Sequence, residues 1–149
     1  MVRKILLGAL LGMMTLAFST QDFAQAQVNE KRQQAMKDIS AANKAIKAAV
    51  EEKNFATVEM KAKDIMGSAD RIPSMFPAGS NTGKTKAKPE IWEKSDDFAK
   101  AAKNLSKAAG DLASAAKAGN ADDVAAKFKA VGGTCSNCHK PYRAEKYSE

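Results

Sequence analysis

The chain has 149 residues, about the length of one domain, with 24 Lys and Arg against 17 Asp and Glu. It contains one histidine and two cysteines, so a zinc site built from four such ligands is excluded, as is a catalytic site that needs two histidines. The length argues against a multidomain enzyme.

Residues 1–26 are predicted to form a cleaved secretory signal peptide. Arg3 and Lys4 precede an almost continuous apolar run from Ile5 to Phe18, and residues 24–26 (Ala-Gln-Ala) match the small-x-small pattern that signal peptidase accepts. The run is shorter than the roughly 20 residues that span a bilayer, which disfavours the alternative of a membrane anchor. We therefore expect export to the periplasm and a mature domain over 27–149.

The mature chain is short of bulky apolar side chains. Half of its apolar residues are alanines, and its leucines are Leu105 and Leu112. A domain of this size usually buries more bulk. The sequence therefore predicts that something besides side chains fills part of the interior.

The first half of the mature chain predicts two helices and a loop. A helix over about 28–51 carries Met36, Ile39, Ile46 and Val50 on one stripe, with the polar Asn43 in the same register. Asn54 is a candidate N-cap for a second helix, whose apolar residues recur at steps of four and three up to position 72. Residues 73–88 are rich in Gly, Pro, Ser and Asn and predict one long loop.

The second half predicts two more helices. Pro89 suits the first turn of a third helix that runs to about Ala118, and Gly119 ends it. Asn120 opens a fourth helix. Its apolar stripe contains Val124, Phe128, Val131, Cys135, Cys138 and Tyr142. We expect an all-α protein, an antiparallel four-helix bundle with one long loop between helices two and three.

Cys135, Cys138 and His139 form the C-x-x-C-H pattern that attaches c-type haem. Two thiols one helical turn apart can each bond to a vinyl group at the porphyrin edge, and the adjacent His139 is then the proximal iron ligand. Three alternatives are weaker. A dithiol redox motif would need a thioredoxin-like βαβ context, a disulfide would close a tiny loop, and zinc would need carboxylates to complete four ligands.

An exported helical chain with GGTCSNCHKPYR near its C-terminus resembles the cytochrome c′ family, the class II c-type cytochromes. Arg32-Gln33 followed by Met36, the run 89–92 (Pro-Glu-Ile-Trp) and Tyr142-Arg143 fit the same pattern. The resemblance covers essentially the whole mature chain. It implies one covalent haem c and weakly implies a homodimer through the first two helices.

The resemblance also implies roles for residues around the iron. Arg32 is expected near a haem propionate, Arg143 beside the proximal imidazole, and Trp92 in the wall of the haem pocket or packed against the loop. The alternatives are a solvated surface arginine at position 32 and, for Arg143, a favourable charge at the C-terminus of a helix. Trp92 would show the same pattern in ordinary core packing.

Met36 matches the family position over the distal face of the haem. If its thioether binds the iron, the protein is a six-coordinate carrier of single electrons; if it only packs there, the iron is five-coordinate and binds nitric oxide or another diatomic gas. We expect the electron carrier, with unidentified redox partner proteins, no nucleic acid partner and no catalytic acid, base or nucleophile. A haem-free helical adaptor or metal chaperone is a third possibility.

Overall fold

The computed structural model describes residues 6–147, with side chains from residue 24 onward. Its helices are α1 (Leu6–Glu51), α2 (Phe55–Arg71), α3 (Glu90–Glu93), α4 (Ser95–Ala118) and α5 (Ala121–Tyr142), with a 3-10 turn at Pro73–Met75. The described residues contain no strand, and their one bridge pairs Ala87 with Arg143. The four long helices confirm the predicted all-α bundle and the long loop after α2.

Helix α1 starts well before the predicted residue 28 and runs through the expected cleavage point after Ala26. Residues 1–5 of the predicted signal peptide lie outside the described residues, so its removal stays a prediction. In the part of the chain that the structure describes, no helix combines the length and the apolar character needed to cross a membrane.

Helix ends follow the predicted capping residues. The Asn54 side chain accepts a 3.1 Å hydrogen bond from the backbone N–H of Thr57, and Asn120 accepts one of 3.1 Å from the N–H of Asp123. Each bond satisfies an amide that the first turn of a helix leaves without a partner. Gly119 ends α4 with φ +75°, a left-handed conformation that glycine adopts at low cost.

The predicted third helix differs from the structure by one break. Lys94 has φ −126° and ψ 52°, so the short α3 ends there and α4 begins at Ser95. The turn before the break, α3, is held in place by contacts with residues outside α4. Ile91 is buried, and the Trp92 indole N–H donates to the carbonyl of Pro77 at 2.9 Å. Apolar spacing alone does not reveal that residues 90–93 pack against the loop and do not continue the axis of α4.

The core is formed by the predicted stripes. All four predicted core positions within α2 are buried, as are Phe98, Leu105 and Leu112 of α4. The stripe of α1 contains one exception to apolar packing: Asn43 Oδ1 is buried and accepts no hydrogen bond from any described residue. On α5, Val124 and Val131 are fully buried, whereas the two cysteines are only partly buried.

The helices pack as a chain of neighbours with one weak junction. Helix α1 packs on α2, α2 on α4, and α4 on α5, but α1 and α5 touch little. A Cβ added to Gly110 of α4 would lie 3.4 Å from Met66 Sδ of α2, so these two helices approach closely. The weak junction between α1 and α5 positions the site.

Candidate functional site

A cavity of about 380 Å³ opens between α1, α5 and the loop after α2. This volume lies within the range of small-molecule and cofactor pockets. Its apolar lining comes from the interior ends of several elements: Ile72, Phe76, Ile91 and Phe98. An apolar, open cavity in a bundle core suits a flat organic cofactor.

Helix α5 brings the predicted attachment residues to this cavity. Cys138 and His139 line it directly, and Cys135 lies one turn earlier, half-buried against the core. Both thiols are free, and the Cys135 thiol donates to the Val131 carbonyl at 3.5 Å. Burial raises the pKa of both cysteines, and the charge of the Cys135 thiolate adds to the effect on Cys138. The neutral thiol form is therefore favoured at both positions.

His139 lies at the edge of the cavity and is exposed on its outer side. Partial withdrawal of the imidazole from water lowers its pKa, and the positive charge of Arg143 lowers it further. The neutral imidazole, which is the form that binds a metal, is therefore favoured.

The donor set fits a covalently held porphyrin better than a bare ion. No group of three or more His, Cys, Asp or Glu residues in the described ranges is arranged to hold a metal ion, which removes support from the zinc alternative. The free Cys138 thiol and the neutral imidazole instead border an apolar cavity, and the free Cys135 thiol lies one turn earlier on α5. This combination is what haem attachment requires: two thiols for the porphyrin edge and one nitrogen for the iron.

Arg32 is buried in the cavity wall and holds the loop. Its Nε donates to the Met75 carbonyl at 2.7 Å, and its Nη1 donates at 3.0 Å to Asn29 Oδ1 and at 3.0 Å to the Ser80 carbonyl. Its Nη2 donates to Ser80 Oγ. Burial lowers the pKa of Arg32 to about 10, so the group stays charged at neutral pH. Four of its five N–H donors are engaged, which leaves one for a cofactor carboxylate.

Trp92 does not line the cavity. Its indole N–H is held by the Pro77 carbonyl, and its ring lies 5.9 Å, centre to centre, from the ring of Phe76. Phe76 takes the expected place in the wall, with Phe98 at 5.0 Å behind it and Tyr142 5.2 Å beyond Phe98. Sequence reasoning missed Phe76 because it lies in the loop; an aromatic residue between Pro73 and Pro77 was the available signal.

Met36 and Arg143 both line the cavity, from α1 and from the end of α5. Met36 is one helical turn after Arg32, and both face the cavity, as expected for residues four apart. Arg143 stands at the antiparallel bridge to Ala87. Beside that bridge, the Ala144 N–H donates to the Lys86 carbonyl at 2.8 Å. Lys86 and Ala87, which also line the cavity, could not be singled out from the sequence.

The family model described as cytochrome c′ matches residues 27–143. The chain belongs to the cytochrome c′ family. Proteins of this family carry one covalently attached haem c. The predicted family, bundle and cofactor are thereby confirmed.

Individual relatives of this cytochrome c′ family chain cover most of its length. It is 40% identical over 121 residues to cytochrome c-556 of Agrobacterium tumefaciens strain B2A, covering 78% of this chain and 97% of that protein. The crystal structure of cytochrome c′ from Thermochromatium tepidum has a TM-score of 0.75 and 32% identity over 83% of this chain and 99% of that one. The structure of a cytochrome c′ with ligand-controlled dimer dissociation has a TM-score of 0.74 and 34% identity. The match covers 81% of this chain and 97% of that one.

The relatives described above carry two names, cytochrome c′ and cytochrome c-556. Family membership makes the chain a haem protein of the class that carries electrons or binds gases, not an enzyme of the usual kind. The roles of Cys135, Cys138, His139, Met36 and Arg143 remain predictions. They are supported by a cavity that the last four line and that Cys135 approaches to within one helical turn.

Proposed function

We propose that the chain is an exported monohaem c-type cytochrome that carries single electrons. Cys135 and Cys138 hold the haem, His139 is the proximal iron ligand, and Met36 is the distal ligand. One observation carries the proposal: Met36 of α1 and His139 of α5 line the same cavity from two different helices. An iron ligand pair on facing helices is a common arrangement in bundle proteins.

The haem supplies an iron that alternates between the ferric and ferrous states. The protein side of the chemistry lies in the cavity wall. Burial and the charge of Arg143 favour a neutral His139, ready to donate its ring nitrogen. Phe76, Phe98 and Ile72 present apolar surface, which excludes water and stabilises a neutral porphyrin face. No acid or base within this wall is needed for the transfer of an electron.

Met36 suits the distal role by its chemistry and its place. It is partly buried and packs against the core, and its unbranched thioether can adjust to a ligand position. A thioether ligand raises the reduction potential and fills the position where a diatomic gas would bind. Both effects favour an electron carrier.

The periplasm is the proposed location. The apolar run of residues 5–18 and the Ala-Gln-Ala sequence before residue 27 support export, and the family match begins at residue 27. A family domain that starts where the leader is expected to end is consistent with removal of residues 1–26.

A gas-binding cytochrome with five-coordinate iron is the alternative. Its support is that the relatives include proteins named cytochrome c′ and one whose dimer dissociation is controlled by a ligand. In this case Met36 packs beside the iron without binding it, nitric oxide is the ligand class, and a homodimer through the first two helices becomes the expected assembly.

Electron paramagnetic resonance and optical spectra of the ferric holoprotein separate the two functions. We expect a low-spin signal and the methionine–iron charge-transfer band, and we expect Met36→Leu to abolish the band and produce a high-spin signal. Met66→Leu is the matched control, because Met66 is also partly buried but does not line the cavity. A high-spin wild-type protein would refute the electron-carrier assignment and favour gas binding.

A further inference from the structure

The mouth of the cavity is surrounded by positive charge. Among the described residues that line the cavity, none is Asp or Glu. Lys84 adjoins the mouth through Tyr147, whose ring lies 5.6 Å from Lys84 Nζ and 4.8 Å from Lys86 Nζ. We call these basic residues the cationic rim: Lys37, Lys84, Lys86 and Arg143.

No described carboxylate forms an ion pair with a residue of the cationic rim. The ion pairs in the described part of the chain lie elsewhere and involve Lys61, Lys63, Lys88 and Lys107. Lys86 Nζ donates to the backbone carbonyl of Glu145 at 2.8 Å, which leaves its charge uncompensated. A groove that contains Lys84 and Tyr147 adjoins the cavity. Glu30 also lines this groove, and its carboxylate partly offsets the positive charge of the rim. Lys37, Lys84 and Arg143 are exposed, so their charges face solvent.

The cationic rim lies beside the proposed route for electrons. Arg143 and Lys86 line the same cavity as Cys138 and His139, and His139 is exposed on its outer side. Tyr147 is 45% exposed between the two lysines, a large aromatic residue of the type enriched in protein interfaces. A partner attracted to this rim would therefore lie next to the haem edge.

We propose that the cationic rim is the docking surface for an acidic electron-transfer protein. The proposal rests on the electron-carrier function. Charge complementarity selects the partner: unpaired cations around a site attract carboxylate-rich surfaces and raise the rate of encounter. Electron-transfer complexes are small and short-lived, so a few charges around an exposed edge are sufficient.

Two other occupants of the cationic rim have distinct consequences. The carboxylates of the haem itself would form ion pairs with the rim residues, which would then help to hold the haem. Arg32, inside the cavity, keeps one N–H donor for that task. An anionic lipid surface would attract the same lysines. Covalent haem in the rim variant tests the first occupant, and binding of the wild-type protein to anionic phospholipid vesicles tests the second.

The test compares two double charge reversals of the holoprotein. Lys37→Glu/Lys84→Glu changes the rim, and Lys47→Glu/Lys103→Glu changes two exposed lysines that line neither the cavity nor the adjoining groove. Both variants lose the same net charge. Binding of a decaglutamate peptide is measured by titration calorimetry at low and at physiological ionic strength. Oxidation of the reduced protein by hexacyanoferrate(III), which takes up one electron to become hexacyanoferrate(II), is followed in parallel.

We expect the rim variant to bind decaglutamate about tenfold more weakly than the wild type at low salt, and the control variant to change far less. The oxidation rate by hexacyanoferrate(III) follows the same order, and added salt removes the difference. Equal losses in both variants would overturn the proposal, because net charge alone would explain them. So would a loss of covalent haem in the rim variant, or binding to anionic vesicles without binding to decaglutamate.

The docking proposal and the electron-carrier proposal fail in different ways. If the cationic oxidant tris(phenanthroline)cobalt(III) and hexacyanoferrate(III) both fail to oxidise the reduced protein, the electron-carrier function is refuted. If both oxidants react but neither reversal is selective, the function stands and the cationic rim is not the docking surface.

Discussion

The guanidinium carbon of Arg32 lies 4.2 Å from the centre of the Phe76 ring. The contact joins a buried charge on α1 to the aromatic residue that walls the cavity. The same guanidinium donates to the carbonyls of Met75 and Ser80 on either side of Phe76. Arg32 therefore fixes the loop after α2 to α1 beside Phe76, and the shape of the cavity depends on this arginine.

Replacing Arg32 by Met should destabilise the protein by about 2–4 kcal/mol. The Met75 carbonyl loses its donor, and a buried acceptor without a partner costs roughly 1–3 kcal/mol. The Ser80 carbonyl keeps only its bond from Gln25 Nε2, and Ser80 Oγ loses the bond from Arg32. Denaturant unfolding measures the loss, and hydrogen exchange should show faster exchange in residues 75–83.

Arg71→Met is the matched control for that substitution. Arg71 is exposed, and its Nη2 donates to Ser68 Oγ at 3.4 Å. It should change the free energy of unfolding by less than about 0.5 kcal/mol. If Arg71→Met and Arg32→Met cost the same, or if exchange in the loop is unaltered, Arg32 does not hold the loop.

Asn43→Leu should stabilise the bundle by about 1 kcal/mol. Asn43 Oδ1 is buried in the α1 stripe, and no described residue donates to it, so its desolvation is uncompensated. Leucine has the same number and branching of side-chain heavy atoms and a higher helix propensity. Asn104→Leu, on the exposed surface of α4, shares the propensity gain without the burial term. Equal thermal shifts for the two variants would show that Asn43 has a partner, such as a water molecule.

Alanine at Gly132 and at Gly133 should each raise the free energy of unfolding by about 0.5–1 kcal/mol. Both glycines lie inside α5, where glycine is unfavourable, and an added Cβ at either would meet no described atom within 4 Å. Gly119→Ala is the contrasting control. Gly119 has φ +75°, so the same substitution there should lower the free energy of unfolding. Loss of covalent haem on alanine substitution would show that the porphyrin lies against these glycines.

Replacing Cys135 and Cys138 by Ala should abolish haem staining of the denatured band, since we propose that these thiols form the covalent links. Ser136→Ala, which is exposed between them, should leave the stain unchanged. The cysteine variant should also unfold at a lower temperature, because the haem would fill volume that the alanine-rich interior leaves open. A stained band from the double variant would contradict the attachment assignment.

The predicted elements that were right depend on local rules. The stripe of α2, the caps at Asn54 and Asn120, and the end of α4 at Gly119 follow from neighbours within a few residues. The place of Cys138 beside an apolar cavity follows from the periodicity of α5, and His139 is its neighbour in the chain. What was missed depends on contacts across the chain.

The loop shows the limit most clearly. Nothing near Phe76 predicts that Arg32 lies beneath it, and nothing near Lys86 predicts that Ala144 donates to its carbonyl. Trp92 was expected in the cavity wall or against the loop, and its hydrogen bond to the Pro77 carbonyl places it against the loop. Such pairings join residues far apart in the chain, and no local pattern encodes them.

The weak junction between α1 and α5 makes the bundle resemble a ring with one open joint, and the cofactor cavity occupies that joint. The other three junctions are closed by side chains alone. Helix α1 packs on α2 on one side and is joined to the loop through Arg32. Its remaining side faces the cavity, so its packing there depends on what the cavity holds. A bond between Met36 and the proposed haem iron would therefore tie the open side of α1 to the cofactor held by α5, and would stabilise the whole bundle.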